Sequence, residues 1–134
     1  MAALNTIYIR NADAQSHRMK NDTGLQLYQN ELTVIGTMVG VATEVIASAA
    51  IGAFDTEDGA IVQVASADLE AGENTFGTAN QDVFLNPATG KFSDTPTVGY
   101  FKVGQLAAGG IKDTAGMIVF TKRRWAEPIE SDET

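Results

Sequence analysis

A chain of 134 residues, 44% hydrophobic and 19% charged, has the length and composition of one domain with its own core rather than of a disordered segment. It contains no cysteine and one histidine. That excludes a disulfide framework, a thiolate nucleophile, zinc held by cysteine, and a multi-histidine metal site within one chain. A formal net charge of −8 argues against broad affinity for nucleic acid or anionic membrane.

Residues 1–30 differ in character from the rest. Leu4, Ile7, Tyr8 and Ile9 form a short apolar run, residues 11–24 are polar without periodicity, and Leu25, Leu27 and Tyr28 resume. This pattern predicts an extended N-terminal arm whose apolar end docks elsewhere, with residues 11–24 as tether. The competing reading makes residues 5–10 an edge strand of the chain's own body. No basic segment followed by an apolar run opens the sequence, so a protein made in a reducing cytoplasm is expected.

Residues 32–54 carry one charge, Glu44, and a Gly36-x-x-x-Gly40 spacing, which together imitate a membrane helix. The composition opposes that reading, because the large positions are β-branched and the flanks lack Lys and Arg. Strands are predicted instead, with Ile35, Thr37, Val39, Val41, Thr43 and Val45 on one strand face. Short apolar runs follow at 60–65, 83–85, 98–103 and 116–121, separated by turn signals such as Asp58-Gly59 and Gly109-Gly110. Asn86-Pro87-Ala88-Thr89-Gly90 reads as a hairpin connection, and residues 66–71 as one helical turn. Many short strands closely spaced point to an all-β barrel or sandwich over residues 31–125. Residues 126–134 read as an acidic C-terminal tail.

Catalytic constellations do not assemble. His17, the one imidazole, sits between Ser16 and Arg18 in a polar stretch and reads as a solvated side chain. Residues 55–59 lack the ligand spacing of a calcium loop. Residues 72–77 match the outer glycines of a phosphate loop, but Thr78 stands where lysine is required. No enzyme activity, cofactor or metal is expected. Charge is arranged in blocks: residues 21–90 hold ten acids and no Lys or Arg, whereas Lys91, Lys102, Lys112, Lys122, Arg123 and Arg124 follow. Such blocks form complementary surfaces within a chain or between copies.

The runs GTMVGVAT at 36–43, IGAFDT at 51–56, Ala71-Gly72, VFLNPATGKF at 83–92 and Val98-Gly99-Tyr100, with a last strand at 117–121, occur in one order. In that order the chain resembles the small capsid decoration, or cement, proteins of tailed bacteriophages, similar in shape to the lambda-type head decoration proteins. The resemblance covers residues 31–122. Residues 73–81 depart from it as an insertion, and the segment before Glu31 is longer than in many relatives.

The resemblance implies an all-β fold, a small β-barrel or β-tulip body with an extended N-terminal arm. It also implies a virion protein on the outer surface of the capsid, made in the host bacterial cytoplasm. Its partners would be the major capsid protein and further copies of itself in a trimer, with neither nucleic acid nor membrane involved. The residues expected at capsid or subunit interfaces are Leu4, Ile7, Tyr8, Ile9 and Arg10 in the arm and Lys122, Arg123, Arg124 and Trp125 near the other end. The alternative is a small β-barrel that binds a ligand or carbohydrate, with Tyr100, Phe101 and Trp125 lining the site.

Overall fold

β-branched and aromatic residues between closely spaced turns pair into strands, because such side chains pack well on a pleated surface. In the computed structural model, residues 6–9, 16–70, 76, 81–106 and 118–130 are described. Among them the regular structure is ten strands and one 3-10 turn, Ser66–Asp68. In chain order the strands are β1 (Thr6–Ile9), β2 (Ser16–Lys20), β3 (Leu32–Ile35), β4 (Met38–Ala42) and β5 (Ile51–Asp55). They continue with β6 (Ile61–Val64), β7 (Asp82–Asn86), β8 (Lys91–Ser93), β9 (Phe101–Leu106) and β10 (Ile118–Pro128).

The main path of the sheet runs β2-β5-β4-β10-β9-β7-β8, with β3 on β4, and β6 between β10 and β1. Every strand pairing is antiparallel. The path ends at β2 and β8, an open sheet; the described pairings do not close it into the expected barrel. No helix among the described residues is long and apolar enough to cross a membrane.

Gly36 replaces the single long strand face predicted from Ile35 to Val45 with a hairpin. Its φ of +61° reverses the chain, so β3 lies against β4 with Ile35 opposite Met38. Beyond β4, residues 43–50 leave the sheet, and Val45 is exposed. The 86–90 hairpin forms as predicted: Gly90 has φ +75° and its N–H donates to the Asn86 carbonyl at 2.8 Å. Strand β10 runs through the proposed start of the acidic tail, and Ile129 exchanges backbone bonds with Gly99 and Tyr100. The first residues of that tail therefore belong to the body.

β4 divides the interior because its successive side chains face opposite ways. Val39 and Val41 join the larger core with Leu32, Val62, Val64, Leu85, Phe92 and Phe120, among others. Phe92 and Phe120 stack obliquely, ring centres 5.6 Å apart. On the other face Ala42 joins Leu27, Ile35, Ile46 and Phe54 in a smaller core. Gly40 leaves room for Phe54, whose Cβ would lie 3.2 Å from a side chain placed there.

Residues 11–24, read as a tether, contain a strand: β2 pairs with β5 from Ser16 opposite Asp55 to Lys20 opposite Ile51. β1 likewise pairs with β6, from Thr6 opposite Val64 to Ile9 opposite Ile61. Residues 6–9 thus track residues 64–61 and residues 16–20 track 55–51, with the register displaced by one residue between the two pairings. β1 and β2 form a strap along the edge of the chain's own body, and β1 stands where the edge-strand reading of residues 5–10 puts it. Part of the proposed tether, residues 11–15, lies outside the described residues.

Candidate interface surface

The basic run near the end of the chain lies where β10 changes partners. Its first half pairs with β6 and with β9, up to Lys122 opposite Gly104. The register with β9 resumes only at Glu127 opposite Lys102, and between them Trp125 pairs with Met38 of β4. A bulge of this kind re-aims side chains. Arg123, Arg124 and Trp125 occupy it.

Lys122 is not a surface cation, contrary to its place among the expected interface residues. Ile118, Phe120 and Lys122 share the inward face of β10, so the lysine is buried and its Nζ donates to the Val39 carbonyl at 3.2 Å. Burial lowers its pKa to about 8, opposed by the nearby carboxylates of Asp58, Asp55 and Glu57. Arg124 is drawn to the same acidic turn. Its N–H donates to Asp58 Oδ1 at 3.2 Å and its Nε to the Thr56 carbonyl at 3.3 Å. Thr56 in turn shares a 2.7 Å hydrogen bond with His17 Nδ1. Part of the acidic block thus meets the basic block within one chain.

Arg123 and Trp125 point outward. Arg123 pairs with Glu127 at 3.4 Å, and Trp125 is 54% exposed. Beside them an open cleft of about 350 Å3 is bounded by Asp58, Lys102, Gln105, Thr121, Arg123 and Glu127. Its cations are matched by anions, since Lys102 pairs with Asp82 at 3.2 Å as Arg123 does with Glu127. The aromatic set of the ligand-binding alternative is dispersed in role: Tyr100 donates its hydroxyl to Glu70 at 2.7 Å, and Phe101 packs on the larger core. Of the arm residues, Leu4 and Arg10 lie outside the described residues. Ile7, Tyr8 and Ile9 stand in β1 opposite Gln63, Val62 and Ile61.

A second surface was not anticipated as a site. Leu25, Tyr28, Val45 and Ile51 are exposed by 41%, 41%, 59% and 62%. They gather because Leu27 and Ile46 form a bridge whose inward side chains fill the smaller core, leaving Tyr28 and Val45 on the outer side. Ile51 begins β5 next to this bridge. The whole lobe is pegged by Asn21, which is fully buried. Its Nδ2 donates to the carbonyls of Leu25, Ile46 and Ala47 at 2.7, 3.1 and 3.2 Å, and its N–H to that of Ala50. Nothing local in the sequence marks this surface, since Val45 and Ile51 read there as ordinary strand residues.

Glu31 closes the lobe. It is fully buried; Oε1 accepts the Tyr28 N–H at 3.1 Å, while Oε2 has no hydrogen-bond partner among the described residues. Burial pushes its pKa up to about 7, moderated by the Tyr28 bond. Comparison with family models, with curated proteins and with solved structures finds no match.

Proposed function

We propose that this protein is a structural component of a tailed-phage virion, binding the outer surface of the capsid as a trimer and cementing the shell against internal pressure. The observation that carries the reading is the coincidence of two features on one body. The described runs at 36–43, 51–56, 83–92 and 118–121 that bear the resemblance contribute strands to a single all-β sheet. That body exposes four large apolar side chains, Leu25, Tyr28, Val45 and Ile51, at positions brought near one another by the Leu27–Ile46 bridge and the Lys20–Ile51 pairing. Isolated exposed apolar residues are ordinary, but a cluster marks a surface made for contact. In this reading the open sheet curls into a β-tulip wall, and the major capsid protein and neighbouring copies cover the cluster.

The physics suits the role. A protein that bridges joints between shell subunits binds the assembled state alone and stabilises it by mass action. Three equivalent patches on a trimer raise avidity by about 10²–10⁴ over one patch. The test is co-sedimentation with mature, expanded shells of tailed particles from the host that carries this sequence. Saturable binding at a fixed copy number per capsid subunit supports the reading. Protein that stays in the supernatant and is retained by a glycan array instead favours the ligand-binding alternative.

A further inference from the structure

We infer that the strap made by β1 and β2 is exchanged between copies, so that these two strands of one chain pair with β6 and β5 of a second copy. The inference deepens the homo-oligomeric reading above and rests on it. Exchange of an identical element is a low-cost route to closed oligomers, because the pairing made in the neighbour is the pairing made at home.

The strap is built for this. It holds the body by backbone pairing along one edge, β2 on β5 and β1 on β6. An edge so covered would otherwise present unpaired backbone groups and invite another strand. At its inner end Asn21 acts as a removable peg. Its bonds to the Ile46, Ala47 and Ala50 carbonyls all reach the 46–50 loop and would form equally with that loop of a neighbour.

The hinge is residues 22–26. Asp22, Leu25 and Gln26 are exposed, and Gly24 holds φ +83°, a turn that opens without steric cost at glycine. Beyond it Leu27 is locked to Ile46 of its own body. Five residues extended span roughly 17 Å, enough to carry the strap to an adjacent copy. What exchange gives up is local: the bonds among Asn21, Thr23 and Leu25 that close the turn.

What it gains names the occupant. The exposed apolar residues gather at the hinge and the strap's inner end: Leu25 in the hinge, Tyr28 just past it, Val45 beside the Leu27–Ile46 bridge, and Ile51 opposite Lys20. A neighbour joined through the hinge lies against this group, so the surface left bare in a single copy becomes the contact between exchanged copies. An unrelated partner has no reason to sit at the hinge; a second copy must.

The absence of cysteine makes the test clean. Light scattering gives the oligomer size of the full chain. Two variants then place cysteines on facing residues of strap and edge, Lys20→Cys with Ile51→Cys, and Ile9→Cys with Ile61→Cys. After oxidation, or a short bis-maleimide where a pair resists oxidation, the protein is run under denaturing, non-reducing conditions. Exchange links chains into a covalent species of the size seen by light scattering. Thiols consumed with only monomer bands would overturn it, as would a monomer in solution. Monomer bands from protein that still sediments with shells defeat the exchange and leave the cement reading intact. Linked oligomers that ignore shells do the reverse.

Discussion

Lys122 spans the larger core to give its Nζ proton to the Val39 carbonyl at 3.2 Å. Strands β10 and β4 pair directly only at Trp125 and Met38, so this bond ties them further along. A buried cation is an expensive way to make such a tie, since ions lose hydration that neutral groups never had.

Replacing Lys122 with methionine should therefore leave stability at pH 7 within about 1 kcal/mol of the parent, since a lost hydrogen bond is offset by a charge no longer buried. The pH dependence separates the two proteins. The lysine pKa is lowered on folding from 10.5 to about 8. A lowered pKa means stability present above the unfolded value is lost as pH falls through the folded one. The parent should weaken by roughly 1–3 kcal/mol between pH 10.5 and pH 8 relative to Lys122→Met. Urea melts across that range decide it; parallel curves would show that the amine is hydrated in solution.

Glu31 sends the opposite signal in a lower window. Its pKa is raised from 4.5 to about 7, so stability present below 4.5 is lost as pH rises to 7. A glutamine in its place keeps the acceptor for the Tyr28 N–H and removes the charge. Glu31→Gln should be more stable than the parent by about 1–3 kcal/mol at pH 8, with the gap narrowing toward pH 4.5. A gap independent of pH would place the carboxylate in water.

Much of the fold was legible. Asn86 to Gly90 carried turn chemistry that the backbone needs, with Gly90 at positive φ, whereas the turn at Gly36 was hidden inside a run that reads as one continuous strand. The run at 60–65 became β6 because its alternation buries Val62 and Val64 together, and the short run at 83–85, apolar throughout, became β7 with all three side chains buried. β2 was illegible for the converse reason. Ser16, His17, Arg18, Met19 and Lys20 form an edge strand stabilised by backbone pairing, and so polar a run leaves no hydrophobic period to read. Lys122 misled because residue type predicts exposure, while its parity with Ile118 and Phe120 put it inside. The apolar cluster escaped notice since nothing local distinguishes an exposed Val45 from a buried Val41; the Leu27–Ile46 bridge decides which faces out.

Glycine substitutions rank by what a Cβ would meet. At Gly104 it would collide with the Thr121 carbonyl, backbone that cannot withdraw, and with the buried Phe120 ring. At Gly52 it meets the Ile46 side chain at 2.5 Å, and at Gly40 the Phe54 side chain at 3.2 Å. Alanine should cost most at Gly104, upward of about 3 kcal/mol, with Gly52 intermediate and Gly40 least. Thermal melts of the three variants give the order; Gly40→Ala as the worst would contradict the packing of Phe54 described above.

Ala49 holds φ +69°, a left-handed conformation that costs a residue with a Cβ roughly 1 kcal/mol. It keeps that shape because its N–H donates to the Asn21 carbonyl at 2.9 Å, inside the loop that receives the peg. Glycine removes the strain and retains the bond, so Ala49→Gly should raise stability by a few tenths to about 1 kcal/mol once glycine's extra unfolded-state entropy is subtracted. Asn21→Ala acts on the same junction in the other direction. It removes the side-chain donations to the Leu25, Ile46 and Ala47 carbonyls, of which Ile46 keeps the Leu27 N–H and Ala47 the Ala50 N–H. It also leaves a gap at a fully buried position, so it should cost about 1–3 kcal/mol. Hydrogen exchange locates the damage. Amides of β2 and of residues 46–50 should lose protection in Asn21→Ala while those of β9 and the first half of β10 keep theirs. Uniform loss across all strands would mean that the lobe and the larger core open as one unit, and that the strap is no separable element.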